Sequence, residues 1–209
     1  MCGLPPPARP GVAARVSVGG AVLAGGASRR MGTDKAFIEL DGSTLLDRAV
    51  MAVADGGADP VVVVGGDQQR IEAAGHRYVA DQHPGEGPLG GIITALDVVD
   101  RDLVVVLACD LIEASPVAVS SLVAVAGSAD VAVPVVDGRA QWLHAVWRRT
   151  TLEPLRAAFA AGERAPRRAL AGLDVVEILD GSPCWYADAD RPADLPDAAK
   201  VTGPEHGGR

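Results

Sequence analysis

Apolar residues along this chain fall into short unbroken runs, separated by stretches whose apolar positions recur every three or four residues. Val16 to Leu23 is the first run and leads into Gly25-Gly26. "PVVVVGG" (Pro60 to Gly66) and "DLVVVLACD" (Asp102 to Asp110) are the most continuous. Runs this short and this apolar predict strands buried on both faces. Further strands are expected at Arg77 to Ala80, Asp130 to Val136, Gln141 to Trp147, Val175 to Leu179 and, briefly, near Trp185 to Ala187. Asp137-Gly138 supplies the turn between two of them. Between the strands the period changes. Ser43 is a candidate cap for a helix to about Ala54, with Leu45, Leu46, Ala49, Val50 and Val53 on one face. Other helices are expected at Gln68 to Ala74, Ile92 to Val99, Thr151 to Ala161 and Ala165 to Ala171. One more starts at Ser115-Pro116, with proline in the first helical position, and runs to Ala126.

Strands that alternate with helices and lack period-two polarity imply a mostly parallel sheet covered on both faces, a three-layer, doubly wound α/β domain. Ligands of such sheets bind beyond the carboxyl ends of the strands. The loops to watch are therefore Ala24 to Lys35, Gly65-Gly66, Asp81 to Gly91 and Cys109 to Leu111. The size, 209 residues, fits one domain at 16–198 with a disordered leader at 1–15 and a disordered tail at 199–209. Aromatics are only 3% of the chain, so Val, Ala, Leu and Ile must build the core. The three cysteines are odd in number and lack zinc-ligand spacing. No run approaches the roughly 18 apolar residues of a membrane helix. "MCGLPPPARPGVAAR" has no apolar core of a secretory signal, so a cytoplasmic location is expected.

The net charge of −8 argues against a general nucleic-acid binder. Cations are nevertheless concentrated in one place. "AVLAGGASRRMGTDKA" (Ala21 to Ala36) sets Arg29, Arg30 and Lys35 on the loop after the first strand, and Lys35 is one of only two lysines. Glycines at Gly25 and Gly26 let backbone approach an anion, and the cations neutralise it. A Walker loop does not fit, because five residues separate Gly26 from Gly32 and no lysine follows directly. A Gly-x-Gly-x-x-Gly dinucleotide fingerprint is also absent. Asp110 ends the clearest central strand, where a carboxylate can hold Mg²⁺ beside phosphates or, alternatively, cap a turn. Asp188 and Asp190 are two apart; Asp190 is either a further metal ligand or a helix cap before Pro192.

Leu23, Ala24, Gly25, Gly26, Ser28, Arg30, Met31, Gly32, Asp34 and Lys35 match the Leu-Ala-Gly-Gly-x-Ser-x-Arg-Met-Gly-x-Asp-Lys signature of nucleotidyltransferases. With "DQHPGEGPLGG", "ACD", "HAVWRR" and "GERAPRRALAGL", the chain resembles the molybdenum cofactor guanylyltransferase family over about Val16 to Leu195. The resemblance implies a Rossmann-like nucleotidyltransferase fold, Mg²⁺ as cofactor, and transfer of GMP from GTP to molybdopterin with release of pyrophosphate. By position, Leu23, Ala24, Gly25 and Gly26 would contact the nucleotide through backbone, and Arg30 and Lys35 would bind phosphate. Gly65, Asp81 and Gly87 would line the nucleotide site, and Asp110, with Asp190, would hold the metal. Transient contact with molybdoenzymes or cofactor carrier proteins is also implied.

Gly65 stands where the family often has Asn, and Asp188 to Pro192 replaces Asn-x-Asn-Thr-Pro, a form also found among cytidylyl relatives. Cytidylyl transfer, another phosphorylated acceptor, and a non-catalytic nucleotide-binding module are the alternatives. Arg164, Arg167 and Arg168 either meet the second substrate or form the polar face of a helix. Trp142 and Trp147, five apart on one strand, are expected on opposite faces. His144 and Cys109 are expected to be structural.

Overall fold

The computed structural model describes residues 16–25, 34–179 and 200–201. The valine runs form the centre. Strands β1 (Val18–Leu23), β4 (Val61–Val64), β5 (Tyr78–Val79) and β6 (Leu103–Ala108) lie parallel in the order β6-β1-β4-β5. Strand β9 (His144–Arg148) pairs antiparallel with β6 and with β7 (Val131–Val136), and the short β8 (Arg139–Ala140) pairs back on the end of β7, off the main path. Strand β10 (Val175–Ile178) then adds parallel to β7. The order β10-β7-β9-β6-β1-β4-β5 thus has a single reversed strand. The chain steps from β1 outward to β4 and β5, then returns to β6 on the other flank of β1. That reversal is the switch point where a doubly wound sheet opens a crevice.

Alternate residues of each strand feed two separate cores, as the two-residue strand period requires. Val62, Val64, Val104, Val106 and Trp147 pack under α3 (Pro88–Val98) and α5 (Leu152–Ala160). Val63, Val105, Leu107 and Val146 pack under α1 (Leu45–Asp55), α2 (Gln68–Ala73) and α4 (Pro116–Ala126). A small sheet, β2 (Ile38–Leu40) with β3 (Ser43–Thr44) and β11 (Lys200–Val201), flanks the first crossover. No helix among the described residues is long and apolar enough to cross a membrane.

Several local expectations need correction. The cap of α1 is Thr44, not Ser43. Its hydroxyl accepts from Asp47 N at 3.0 Å and Asp47 answers through the Thr44 amide, a complete capping box, while Ser43 sits in β3. Helix α3 starts at Pro88, four residues before the expected Ile92, because proline suits its first turn. Ala165 to Ala171 yields only a 3₁₀ turn, Pro166–Arg168. Gln141 to Leu143 precede β9 rather than extend it, so the parity argument for the two tryptophans fails. Both rings belong to the α3/α5 core, with centroids 6.3 Å apart. Lys200 and Val201, at the start of the expected tail, pair with Glu39 and Ile38. The strand expected near Trp185 to Ala187 lies outside the described residues.

Candidate active site

Two groups of residues meet at the carboxyl end of β1, one on each flank. On the β6 side, Cys109 N donates to Leu23 O at 3.1 Å, which continues the ladder one residue beyond the strand and sets Asp110 at the crevice mouth. Lys35 Nζ lies 3.4 Å from Asp110 Oδ2. The lysine reaches it from a 3₁₀ turn, Lys35–Phe37, whose cap is Asp34: the carboxylate accepts from Ala36 N at 3.2 Å. The Arg70 guanidinium stacks 3.8 Å above the Phe37 ring and tethers α2 to this turn. Burial raises the Asp34 pKa, an effect the Ala36 amide and nearby Arg70 partly offset.

On the β4 side, Ala24 N donates to Val64 O at 2.9 Å. Gly65 follows with φ +73°, a conformation that excludes most side chains, and a Cβ there would lie 3.2 Å from Gly25 Cα. Asp81 completes this cluster. Its Oδ1 accepts from His83 N at 3.0 Å and from the Thr94 hydroxyl at 3.1 Å. Its Oδ2 is the nearest side-chain atom to the position a Gly25 Cβ would occupy, at 3.8 Å. One oxygen is thus held by protein donors while the other faces the glycine turn.

Residues 20–177 match the family model described as the MobA-like NTP transferase domain. The chain belongs to the MobA-like NTP transferase family. A "Probable molybdenum cofactor guanylyltransferase" from Chloroflexus aggregans is 37% identical over 76% of this chain and 78% of its own length. A molybdenum cofactor guanylyltransferase from Pseudomonas entomophila is 33% identical over 76% of this chain and 85% of its own. Among solved structures, molybdopterin-guanine dinucleotide biosynthesis protein A from Archaeoglobus fulgidus is similar with TM-score 0.68 and 25% identity, over 84% of this chain and 93% of that one. As a MobA-like transferase the chain is an enzyme of nucleotidyl transfer, a class that uses a nucleotide and a divalent metal.

The glycine signature of the family thus brings Leu23, Ala24, Gly25, Gly65 and Asp81 to one side of the β1 end, and Lys35 and Asp110 to the other. Gly26, Arg30 and Asp190 lie outside the described residues. Gly87 caps α3 at φ +94°, and a Cβ there would press on the Arg164 backbone at 3.3 Å. Of the three arginines of "GERAPRR", Arg164 is engaged with protein: it pairs with Glu86 at 2.7 Å and stacks 3.9 Å over Phe159. Phe159 in turn contacts His83, with ring centroids 4.5 Å apart. Arg168 pairs with Glu163 at 2.9 Å, and Arg167 is exposed.

Sequence reasoning gave no role to Thr94, Asp34 or Arg70. Thr94 is the only hydroxyl on the apolar helix α3 and is fully buried, a readable sign that something must satisfy it. Cys109 is buried, and desolvation with the neighbouring Asp110 and Asp34 charges drives its thiol pKa far up, so it packs as a small apolar residue. Among the described residues no three or more His, Cys, Asp or Glu side chains are arranged so that they could hold a metal ion. The donor set here is one carboxylate at a crevice mouth. Mg²⁺ in nucleotide enzymes takes one or two carboxylates and fills its sphere with phosphate oxygens and water, so the set fits.

Proposed function

We propose that this chain transfers GMP from GTP to the terminal phosphate of molybdopterin in the cytoplasm, with Mg²⁺ as cofactor and pyrophosphate as leaving group. The observation that carries the reading is the Lys35–Asp110 pair at 3.4 Å, beside the glycine turn and inside the switch-point crevice. A cation and an acid at that separation match a ligand that is both polyanionic and metal-bound. The Leu23 to Gly25 backbone lines the nucleotide, and Asp81 Oδ2 accepts a hydrogen bond from it. Lys35 binds phosphate and stabilises charge as it develops on the pyrophosphate. Asp110 would hold Mg²⁺, which when bound would supply charge neutralisation of the triphosphate and polarisation at the α-phosphorus. Gly26 and Arg30 would bind phosphate, Gly87 would line the nucleotide site, and Asp190 would be the second metal carboxylate.

No covalent enzyme intermediate is needed: the pterin phosphate attacks the α-phosphorus directly, and the protein contributes position and charge. The test is incubation with each labelled nucleoside triphosphate, Mg²⁺ and molybdopterin-loaded carrier, followed by mass analysis of the pterin. Guanylylated pterin from GTP alone is expected. A cytidylylated product, or none with any triphosphate, overturns the assignment.

A further inference from the structure

We infer that Lys35 occupies Asp110 when no nucleotide is bound, so that a divalent cation reaches this carboxylate together with the triphosphate rather than ahead of it. The inference rests on the reading of Asp110 as the metal-holding carboxylate.

The Lys35 ammonium is delivered by fixed structure. Asp34 caps its turn through Ala36 N, Phe37 N closes the turn onto Asp34 O at 3.1 Å, and Arg70 stacks on Phe37. The Lys35 side chain is 11% exposed and that of Asp110 24%. Charges in such a place are poorly screened by salt. A bare divalent cation at Asp110 would face a resident positive charge within a few ångströms, and that repulsion opposes its entry. A triphosphate removes the obstacle in two ways. Its oxygens give Lys35 another anionic acceptor, and they supply ligands that one carboxylate cannot. Metal and nucleotide therefore bind with positive coupling, and by linkage each raises the affinity of the other equally. The lysine acts on the metal as a gatekeeper as well as on the phosphate.

The experiment measures Mn²⁺ binding to the full chain without nucleotide, from the free-ion electron paramagnetic resonance signal. The wild type and Lys35→Arg, which keeps the charge, should bind Mn²⁺ weakly. Lys35→Gln should bind it at least about tenfold more tightly, a typical size for such coupling. Adding Asp110→Asn to Lys35→Gln should abolish the gain. Lys35→Ala replaces Lys35→Gln if the latter fails a circular dichroism check of folding. Equal Mn²⁺ affinity in wild type and the neutral variants, with Asp110→Asn still weakening binding, overturns the gatekeeper and leaves the metal assignment standing. A gain that persists without the Asp110 carboxylate overturns both.

Discussion

Acid and base meet at both ends of the central sheet. At the amino-terminal end, Asp102 accepts from Ser17 N at 2.8 Å and from its hydroxyl at 2.7 Å. Arg101 donates to the carbonyls of Asp59 and Asp100, each at 2.8 Å, Arg148 to that of Ala129 at 3.0 Å, and Arg149 pairs with Asp100 at 3.4 Å. Ser17, Asp100, Arg101, Asp102, Arg148 and Arg149 line a cavity of about 330 Å³. At the carboxyl-terminal end, Lys35 faces Asp110, and Asp81 has one oxygen turned toward the glycine backbone. The first set closes the fold, because its arginines donate to the carbonyls of neighbouring loops. The second is a set of charges beside backbone that glycine keeps open. Charge alone does not separate the two ends; what each charge is bonded to does.

The comparison is most severely strained by paired carboxamide variants. Asp110→Asn should cut transfer by roughly 10³-fold, the scale of losing a key transition-state contact, with little change in thermal unfolding. Single-turnover assays at saturating GTP and Mg²⁺ would measure it. Near-normal turnover would remove the distinction between the two ends.

A pH effect comes next in size. His144 is buried in β9 opposite Leu107, and desolvation lowers its pKa to about 4 from 6.5. Between these values the unfolded chain binds the proton and the folded chain does not. Stability contributed by neutral His144 is thus full above pH 6.5 and falls as pH drops toward 4. The loss is on the order of 3 kcal/mol. Urea unfolding at pH 7 and pH 5 should show a drop that His144→Gln reduces.

Gly65→Ala asks whether the open backbone at the carboxyl end is required. The left-handed conformation costs a non-glycine residue about 1–2 kcal/mol. The Cβ also crowds Gly25 Cα and N at 3.2 and 3.3 Å. A KM for GTP raised about tenfold, with kcat less affected, is expected from steady-state kinetics. Gly65→Asn should be milder than Gly65→Ala, since Asn tolerates that region better than other side chains.

The layers, the strand centres and the switch-point crevice were legible because continuous valines and three-to-four periodicity record burial directly. The Lys35 and Asp110 loops were legible because each follows a readable strand. Elements set by long-range contacts were not. Strand β2 exists through pairing with Thr44 on one side and Lys200 and Val201 on the other, and neither partner shows in the local pattern. Arg164 has the same character. Its sequence neighbours left a substrate contact and the polar face of a helix both open, and neither pointed to Glu86, 78 residues away, which engages it. Arg164→Ala should loosen the loop that Gly87 ends and raise the GTP KM a few-fold. Partly exposed pairs such as Arg164–Glu86 contribute about 1 kcal/mol or less. Arg164→Lys should recover part of the effect through the charge but not through stacking on Phe159.

The smallest effect is assigned to Asp102→Asn, and its smallness is the point. Asp102 is exposed, and the Ser17 amide and hydroxyl hold its carboxyl below the usual range. A group so depressed adds stability above its unfolded pKa and loses it as pH falls through the lower folded value. Asparagine keeps an acceptor for the Ser17 amide but not the charge. Transfer should therefore match wild type in kcat and KM, while thermal unfolding shifts slightly downward at neutral pH and converges with wild type in acid. A change in GTP affinity would mean that the amino-terminal cavity communicates with the nucleotide. The division between a fold-closing end and a reactive end would then fail, because Ser17 and Asp102 join the starts of β1 and β6, the two strands whose far ends carry the glycine turn and Asp110.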